Sequence, residues 1–323
     1  MKKQIVFIAI SLLLLSGCQL SKVKTIKLAH GLDVTHSVHL ALEFFGEEIH
    51  RISNGQLKVE IYPNSQLGSE REILELIQIG SLHMTKVSAA TLENFAPKSK
   101  VLGLPYLFKN RAHAFRVLDG EIGQNLLEDS QRYRLKGLGY YDAGYRSFYT
   151  KERPVDHPDE LKGLKIRVME SVTAMNMVRS FGGAPTPISW GELYTSLQQG
   201  VVDGAENNPP SFYLSKHYEI CKYYSLNEHT YSPDVIIIGN SFWNELNEEQ
   251  QLWMSKAVNA SIHFQRKLWA EHEANALKEV VKAGVEIVYP EKDVFMELAQ
   301  KVHEQYLQDE ELKSIITQIK ALE

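Results

Sequence analysis

Cysteine is scarce in this chain of 323 residues. Only Cys18 and Cys221 are present, and Cys18 directly follows a short apolar run near the N-terminus. We therefore expect no disulfide within the mature chain. Cys221 lies beside Lys222, and we expect it to be a small buried apolar residue and not a nucleophile.

Catalytic motifs are also missing. The chain contains no GxSxG turn, no HExxH zinc motif and no phosphate-binding P-loop. His36 and His39 are three residues apart, but no acidic or cysteine partner lies at ligand spacing. We therefore expect a protein that is not an enzyme and that uses neither a metal nor a cofactor. The net charge of -5 argues against a broad nucleic-acid-binding surface and leaves a small anionic ligand possible.

The first residues resemble the leader of an exported bacterial lipoprotein. Lys2 and Lys3 precede an apolar run, residues 5–15, that is too short to span a bilayer as a helix. Residues 15–18, Leu-Ser-Gly-Cys, resemble a lipobox, which implies cleavage before Cys18 and lipid attachment to its thiol. We expect a membrane-anchored protein of the periplasm or cell surface. A plain secretory signal with a chance cysteine is the alternative.

The mature chain alternates strands and helices. Residues 25–30 alternate like a half-buried strand, helical spacing then runs to Asn54, and residues 57–62 form the next strand. This β-α-β order predicts an α/β fold with helices on the faces of a sheet. At 323 residues, the chain is long enough for about two domains.

Two helix starts share one pattern. Ser69 with Glu72 predicts a capping box, and Ser189 with Glu192 repeats it. A glycine ends each predicted helix at the same distance from its cap, which favours two related lobes. The strands predicted to follow these helices are residues 82–87 and 201–204.

One helical pattern is unusually long. Residues 247–283 contain neither proline nor glycine. At about 1.5 Å per residue, such a helix would be roughly 50 Å long, which exceeds the width of one domain. We therefore expect it to run across both lobes. A short strand at residues 285–289 and a helical tail at residues 293–322 follow it.

Several polar residues lie at predicted strands and turns. Arg167 lies within the predicted strand 164–169, Arg146 begins another strand, and Asn207 follows the strand at 201–204. In two-lobed α/β proteins, ligands bind at strand ends that face the cleft. The planar guanidinium of an arginine can hold a carboxylate through two parallel hydrogen bonds. These residues predict a site for a small organic acid.

Four stretches resemble the DctP-type solute-binding proteins of TRAP transporters, the tripartite ATP-independent periplasmic transporters. The resemblance implies an α/β fold of the periplasmic binding protein kind, with two lobes, a central ligand cleft and a long helix spanning both lobes. It also implies TRAP membrane permease subunits as partners. The stretches are YPNSQLGSERE at residues 62–72, AGYRSFYT at 143–150, GLKIRV at 163–168 and PTPISWGELYTSLQQGVVDGAENNP at 185–209.

The resemblance also implies roles for single residues. Arg167 matches the main carboxylate-binding arginine of the family, and Arg146 matches the second arginine. Asn207 matches the cleft asparagine. Trp190 lies where the family has an aromatic residue, and Glu70 lies where an acidic residue meets ligand hydroxyls.

This chain departs from the sialic-acid-binding pattern of the family. That pattern has asparagine at Gly31 and glutamate at Ser88, and here His30 and Glu170, with Ser88 beside them, are expected to supply the polar contacts. A smaller acid, such as a hexuronate, fits better than sialic acid. The alternatives are a C4-dicarboxylate with Arg146 on its second carboxylate, a binding protein that presents its ligand to a receptor kinase, and an exported sugar-acid enzyme.

The chain is expected to divide into a signal peptide, a tether and two lobes. Hinges are expected near Gly144, near Pro233 and in the middle of the long helix. The predicted segments are a signal peptide at residues 1–17, a tether at 18–23, lobe I at 24–144 with 233–272 returning to it, and lobe II at 145–232 with 273–323 packing on it.

Overall fold

The computed structural model describes residues 23–322, and Cys18 with the rest of the leader lies outside them. Two mixed sheets organise the described residues. Their strands are β1 (Lys24–Ala29), β2 (Leu57–Tyr62), β3 (Met84–Ser88), β4 (Leu135–Tyr141), β5 (Tyr145–Thr150), β6 (Lys165–Val168), β7 (Ala184–Pro187), β8 (Gly204–Asn207), β9 (Tyr223–Tyr231), β10 (Asp234–Gly239) and β11 (Glu286–Val288).

Helices connect and cover these strands. Within residues 23–322, none of them combines the length and the apolar character needed to cross a membrane. The helices are α1 (Ser37–Ile52), α2 (Glu70–Gln78), α3 (Ala89–Leu92), α4 (Arg111–Asp119), α5 (Glu121–Asp129), α6 (Val172–Ser180), α7 (Leu193–Gln198), α8 (Pro209–Leu214), α9 (Asn240–Asn244), α10 (Glu248–Lys282), α11 (Lys292–Tyr306) and α12 (Glu310–Ala321).

The chain crosses between the two sheets. The first sheet has the strand order β2-β1-β3-β10-β4, and the second has the order β11-β9-β5-β8-β6-β7. Strands β4 and β5 are joined directly across the gap, and β9 leads directly back to β10. Strand β10 pairs antiparallel with both β3 and β4, so the returning chain completes the first sheet from within. The α/β class expected from the sequence is confirmed.

The long helix α10 joins the two halves. Asn247 caps it, with Gln250 returning the bond to form a capping box. The helix packs against α1 on one side of the molecule and against α8 on the other. Its Trp269 lies in a core cluster with strands of the first sheet, and its Val280 lies in a cluster with strands of the second.

The two predicted capping boxes have different outcomes. At α2, Ser69 accepts from the backbone N–H of Glu72 and the Glu72 side chain returns to the cap, as expected. At the second site the prediction is wrong. The Ser189 hydroxyl instead donates to the Glu192 carboxylate, 2.7 Å away, and caps no backbone N–H. A single 3₁₀ turn therefore precedes α7, which begins only at Leu193.

Two further expectations about position need correction. The strand expected at residues 201–204 is β8, Gly204–Asn207, so Asn207 is the last residue of a strand and does not follow one. The tail was expected to pack only on the second lobe. Helix α11 does contact β9 of the second sheet, but Ile316 and Ile319 of α12 lie in a core cluster with residues of the first sheet.

A side-chain amide fastens the β4–β5 crossing to the long helix. Gln265 on α10 is fully buried, and its Oε1 accepts from the backbone N–H of Asp142 at 2.9 Å. Its Nε2 donates to the backbone oxygen of the same residue at 2.7 Å. Nearby, Gly144 has φ +61°, and a Cβ there would lie 2.8 Å from Glu273 Oε1 and 3.1 Å from Trp269 Nε1. The crossing therefore requires both the amide and the glycine.

Replacing Gln265 with leucine should lower the free energy of unfolding by about 2–4 kcal/mol. The change leaves a buried N–H and a buried C=O of Asp142 unpaired, and each unpaired group costs about 1–3 kcal/mol. Urea-induced unfolding measures the loss. The control is Lys267→Leu on the exposed side of the same helix, which should shift stability by no more than about 0.5 kcal/mol. Equal stability of the two variants would contradict the prediction.

Candidate ligand-binding site

A cleft lies between the two sheets and takes its walls from both. The space between its atoms, open solvent included, is about 830 Å³. Arg167 and Trp190 line it from the second sheet and its connections, and Glu70 and Ser88 line it from the first. Of the eight site residues expected from the sequence, only His30 is absent from its walls.

Arg167 is a buried cation without a counter-charge in the described part of the chain. It lies on β6, between β7 and β8, and only 2% of its surface is exposed. Its Nε donates to the backbone oxygen of Ile188 at 2.8 Å, while Nη1 is buried and has no partner among residues 23–322. The guanidinium carbon lies 5.9 Å from the centre of the Trp190 ring. Burial lowers the pKa of Arg167, and an anion in the cleft would offset that effect.

Arg146, in contrast, already has its counter-charge. Its Nε and Nη2 donate to the two carboxylate oxygens of Glu206 at 2.5 and 2.8 Å. Burial alone would raise the pKa of Glu206, but the charge of Arg146 together with the hydrogen bonds from His229 and Arg146 outweighs it and lowers that pKa to about 2. The pair is thus a neutral unit, and Arg146 has little charge left for a ligand.

Asn207 is oriented by the same unit. Its Oδ1 accepts from Arg146 Nη1 at 2.8 Å and from the backbone N–H of Asn208 at 2.9 Å. These two donors fix which end of the amide carries the oxygen. The Nδ2 group forms no hydrogen bond within the described residues and remains a donor in the wall of the cleft.

Three charged side chains form a second group on the first-sheet side. Lys86 Nζ lies 3.1 Å from Glu70 Oε1 and 3.2 Å from Asp234. The other oxygen of Glu70 accepts from Thr91 Oγ1 at 2.9 Å, and both oxygens lie 3.3 Å from the backbone nitrogen of Ser88. Burial raises the pKa of Asp234, with Lys86 opposing the effect. One ammonium between two carboxylates leaves an excess of acceptor oxygens, which suits ligand hydroxyls.

His30 does not contribute to the cleft wall. Its Nδ1 accepts from the backbone N–H of Leu32 at 3.1 Å, so its proton is on Nε2, which lies 3.0 Å from His39 Nδ1. His39 Nε2 in turn lies 3.3 Å from Glu43. Both nitrogens of His30 are therefore bonded inside the protein, and neither is left to contact a ligand in the cleft. Glu170 does line the cleft, and Asn94 donates to its backbone oxygen at 2.6 Å.

Several residues in or next to the cleft were not expected from the sequence. Lys86 had a usable signal, because it is a charge inside the fully buried strand β3, as Arg167 is inside β6. The others depend on contacts between distant segments and had no local signal. They are Asp234 and Trp269 in the cleft wall, and Glu206, which binds Arg146 outside that wall.

Comparison with known proteins identifies the family. A model of the DctP family, described as bacterial extracellular solute-binding protein, family 7, matches residues 28–309. The chain belongs to this family. The resemblance to TRAP solute-binding proteins and the two-lobed fold expected from the sequence are thereby confirmed.

Relatives of this solute-binding protein extend the comparison. An uncharacterized protein of Salmonella typhimurium is 37% identical over 82% of this chain and 81% of its own. A TRAP periplasmic solute-binding protein of Xanthobacter autotrophicus, solved with β-D-galacturonate, is 36% identical with a TM-score of 0.90, over 92% of this chain and 100% of that one. One of Chromohalobacter salexigens, solved with D-glucuronate, is 32% identical with a TM-score of 0.90 and the same coverage.

Acid should destabilise this solute-binding protein through histidines buried around the cleft. Burial, with smaller contributions from Lys86 or Arg167, lowers the pKa of His30 to about 2 and those of His36 and His217 to about 3. The unfolded chain therefore binds protons that the folded chain excludes. Stability is fully present above about pH 6.5 and should fall below it, by roughly 1.4 kcal/mol per pH unit for each histidine.

Urea unfolding at pH 7.5 and 5.5 measures this dependence. The variant His217→Gln should show a shallower loss, because one buried titrating group is gone. His263→Gln, at an exposed position, serves as the control and should keep the slope of the unchanged protein. A free energy of unfolding that is the same at both pH values would contradict the expectation.

Proposed function

We propose that this TRAP solute-binding protein captures a hexuronate, or a closely related sugar acid, and delivers it to a membrane permease. The observation that carries the proposal is the contrast between the two arginines. Arg167 has an unpaired buried nitrogen facing the cleft, whereas Glu206 neutralises Arg146. One free cation suits one carboxylate.

The charge on the opposite wall favours a monoanion. Glu70 and Asp234 hold two negative charges against the single positive charge of Lys86. A second carboxylate on that side would meet excess negative charge, whereas hydroxyl groups would donate to the carboxylate oxygens. This argues against the C4-dicarboxylate alternative, which needed a free charge on Arg146. The galacturonate and glucuronate in the solved relatives have the required composition, one carboxylate and several hydroxyls.

Closure of the lobes around the ligand is part of the proposal. The clamp residue Arg167 and the acceptor Glu70 belong to different sheets, so both can contact one small molecule only when the lobes are close together. The hinges would lie near Gly144, near Pro233 and within α10. Lobe boundaries at residues 144–145 and 232–233 follow from these positions. Lipid attachment at Cys18 and docking to permease subunits remain predictions from the sequence and from the family.

Sugar acids should bind far better than a plain dicarboxylate. A thermal-shift series with D-galacturonate, D-glucuronate and succinate tests this, because a ligand at a hundredfold excess over its Kd stabilises the folded state by about 2.7 kcal/mol. We expect clear shifts with one or both uronates and little shift with succinate. A succinate shift equal to or larger than those of the uronates would overturn the sugar-acid assignment and support the dicarboxylate alternative.

Arg167→Ala should nearly abolish uronate binding without unfolding the protein. Removing one partner of a buried charge pair costs about 2–5 kcal/mol, which is roughly 30-fold to several-thousand-fold in Kd. Arg167→Lys keeps the charge but loses the planar fork, so it should also weaken binding substantially. The control is Arg179→Ala, an exposed arginine of the same lobe. Titration calorimetry measures the Kd of each variant. A folded Arg167→Ala variant whose Kd is within about threefold of that of the unchanged protein would be compatible only with an exposed charge.

A further inference from the structure

Two residues that line the cleft have buried hydrogen-bond donors without a partner among the residues that the structure describes. His36 is 3% exposed and Trp269 is 1% exposed, and both line the cleft. His36 Nε2 and Trp269 Nε1 are buried, and neither forms a hydrogen bond with any residue from 23 to 322. The centres of the two rings lie 5.8 Å apart, with 57° between their planes. Unpaired buried donors are costly, so two neighbouring ones require an explanation.

The hydrogen bonding of His36 makes it a donor towards the cleft. It is the N-cap of α1, and its Nδ1 accepts from the backbone N–H of Val38 at 3.2 Å. The proton of the neutral ring is therefore on Nε2. Burial, followed by the charge of Lys86, lowers the pKa of His36 to about 3, so the ring is neutral at physiological pH. The indole of Trp269 can only donate.

The acceptors on the same side of the cleft are already held elsewhere. Glu70 accepts from Lys86, Thr91 and the backbone of Ser88, and Asp234 accepts from Lys86. None of these carboxylates pairs with either ring nitrogen. The one carboxylate of the ligand is assigned to Arg167 in the proposed function, so it is not available to these two donors. What remains suitable is an acceptor that carries no charge.

We propose that His36 and Trp269 form a subsite for an uncharged oxygen of the ligand, a hydroxyl, ring or carbonyl oxygen of the sugar acid whose carboxylate Arg167 binds. This subsite rests on the proposed function and adds a second recognition element to it. Selection then depends on two features of the ligand at once. An acid without an oxygen at this position leaves both donors unpaired in the closed cleft, and sites built around buried polar groups reject such analogues strongly.

The variant Trp269→Phe isolates one of the two donors. It keeps a large aromatic ring and removes the N–H, which has no partner within residues 23–322, so that part of the fold loses no hydrogen bond. We expect the Kd of the better-bound uronate, D-galacturonate or D-glucuronate, to rise about 5- to 30-fold in titration calorimetry. Trp253→Phe is the matched control, because Trp253 lies on the same helix and packs on the same core outside the cleft wall. The Kd of this control for the same uronate should stay within about twofold of that of the unchanged protein.

A pair of substitutions at His36 separates donation from capping. Asparagine retains an acceptor for the helix cap but does not extend as far as Nε2 of histidine. Glutamine places an amide N–H close to the position of Nε2. His36→Asn should therefore weaken uronate binding as Trp269→Phe does, and His36→Gln should recover part of the affinity. A purely structural role for His36 predicts the opposite order, since asparagine is the better cap.

The outcomes separate this subsite from the function on which it rests. If the unchanged protein binds neither uronate, the proposed function is wrong and the subsite is wrong with it. A second outcome is that the unchanged protein binds a uronate and Trp269→Phe binds it with a Kd within about twofold. If the melting temperatures of Trp269→Phe and Trp253→Phe are also equal, the subsite alone is overturned. Weakened binding in Trp269→Phe and His36→Asn, with recovery in His36→Gln, supports it.

Discussion

The cleft is organised around one buried guanidinium that has no counter-charge among residues 23–322. Arg167 and Arg146 lie close enough for each to disfavour the other's charge, and Glu206 reduces this repulsion by neutralising Arg146. The carbonyl of Ile188 and the ring of Trp190 hold the remaining guanidinium in place without removing its charge. An anionic ligand would supply the missing charge, and in the proposed function the rest of the cleft discriminates among anions.

Much of the fold could be predicted from local patterns in the sequence. The alternating strands, the capping box at Ser69 and the uninterrupted pattern ending in Gly284 all correspond to observed elements. The second capping box failed because a side-chain carboxylate competes for the Ser189 hydroxyl, and a sequence pattern does not rank such competitors. The tail was assigned to the second lobe because the amphipathic patterns of α11 and α12 are alike, yet the core of the first sheet includes α12 and the end of α11.

The site was less accessible to sequence reasoning than the fold. A charge inside an apolar strand is a local signal, and it pointed correctly to Arg167 as a cleft residue. The charge states of the cleft depend on pairs such as Arg146 with Glu206 and Lys86 with Asp234, which join strands far apart in the chain. Strand register decides these pairs, and register is a property of the folded sheets. His30 was also misassigned, because it bonds to His39 on the next helix and a sequence pattern does not show that contact.

The position of β10 has a consequence for the order in which the lobes can form. This strand lies in the interior of the first sheet, between β3 and β4, yet it follows nearly all of the second sheet in the chain. During synthesis or export, the first sheet therefore lacks an interior strand until residue 239 has emerged. By that point the second sheet lacks only β11, which lies at its edge. The half that begins later can reach a nearly complete sheet first. Until β10 inserts, β3 and β4 present unpaired strand edges, which are the part of the nascent chain most open to aggregation and to chaperones.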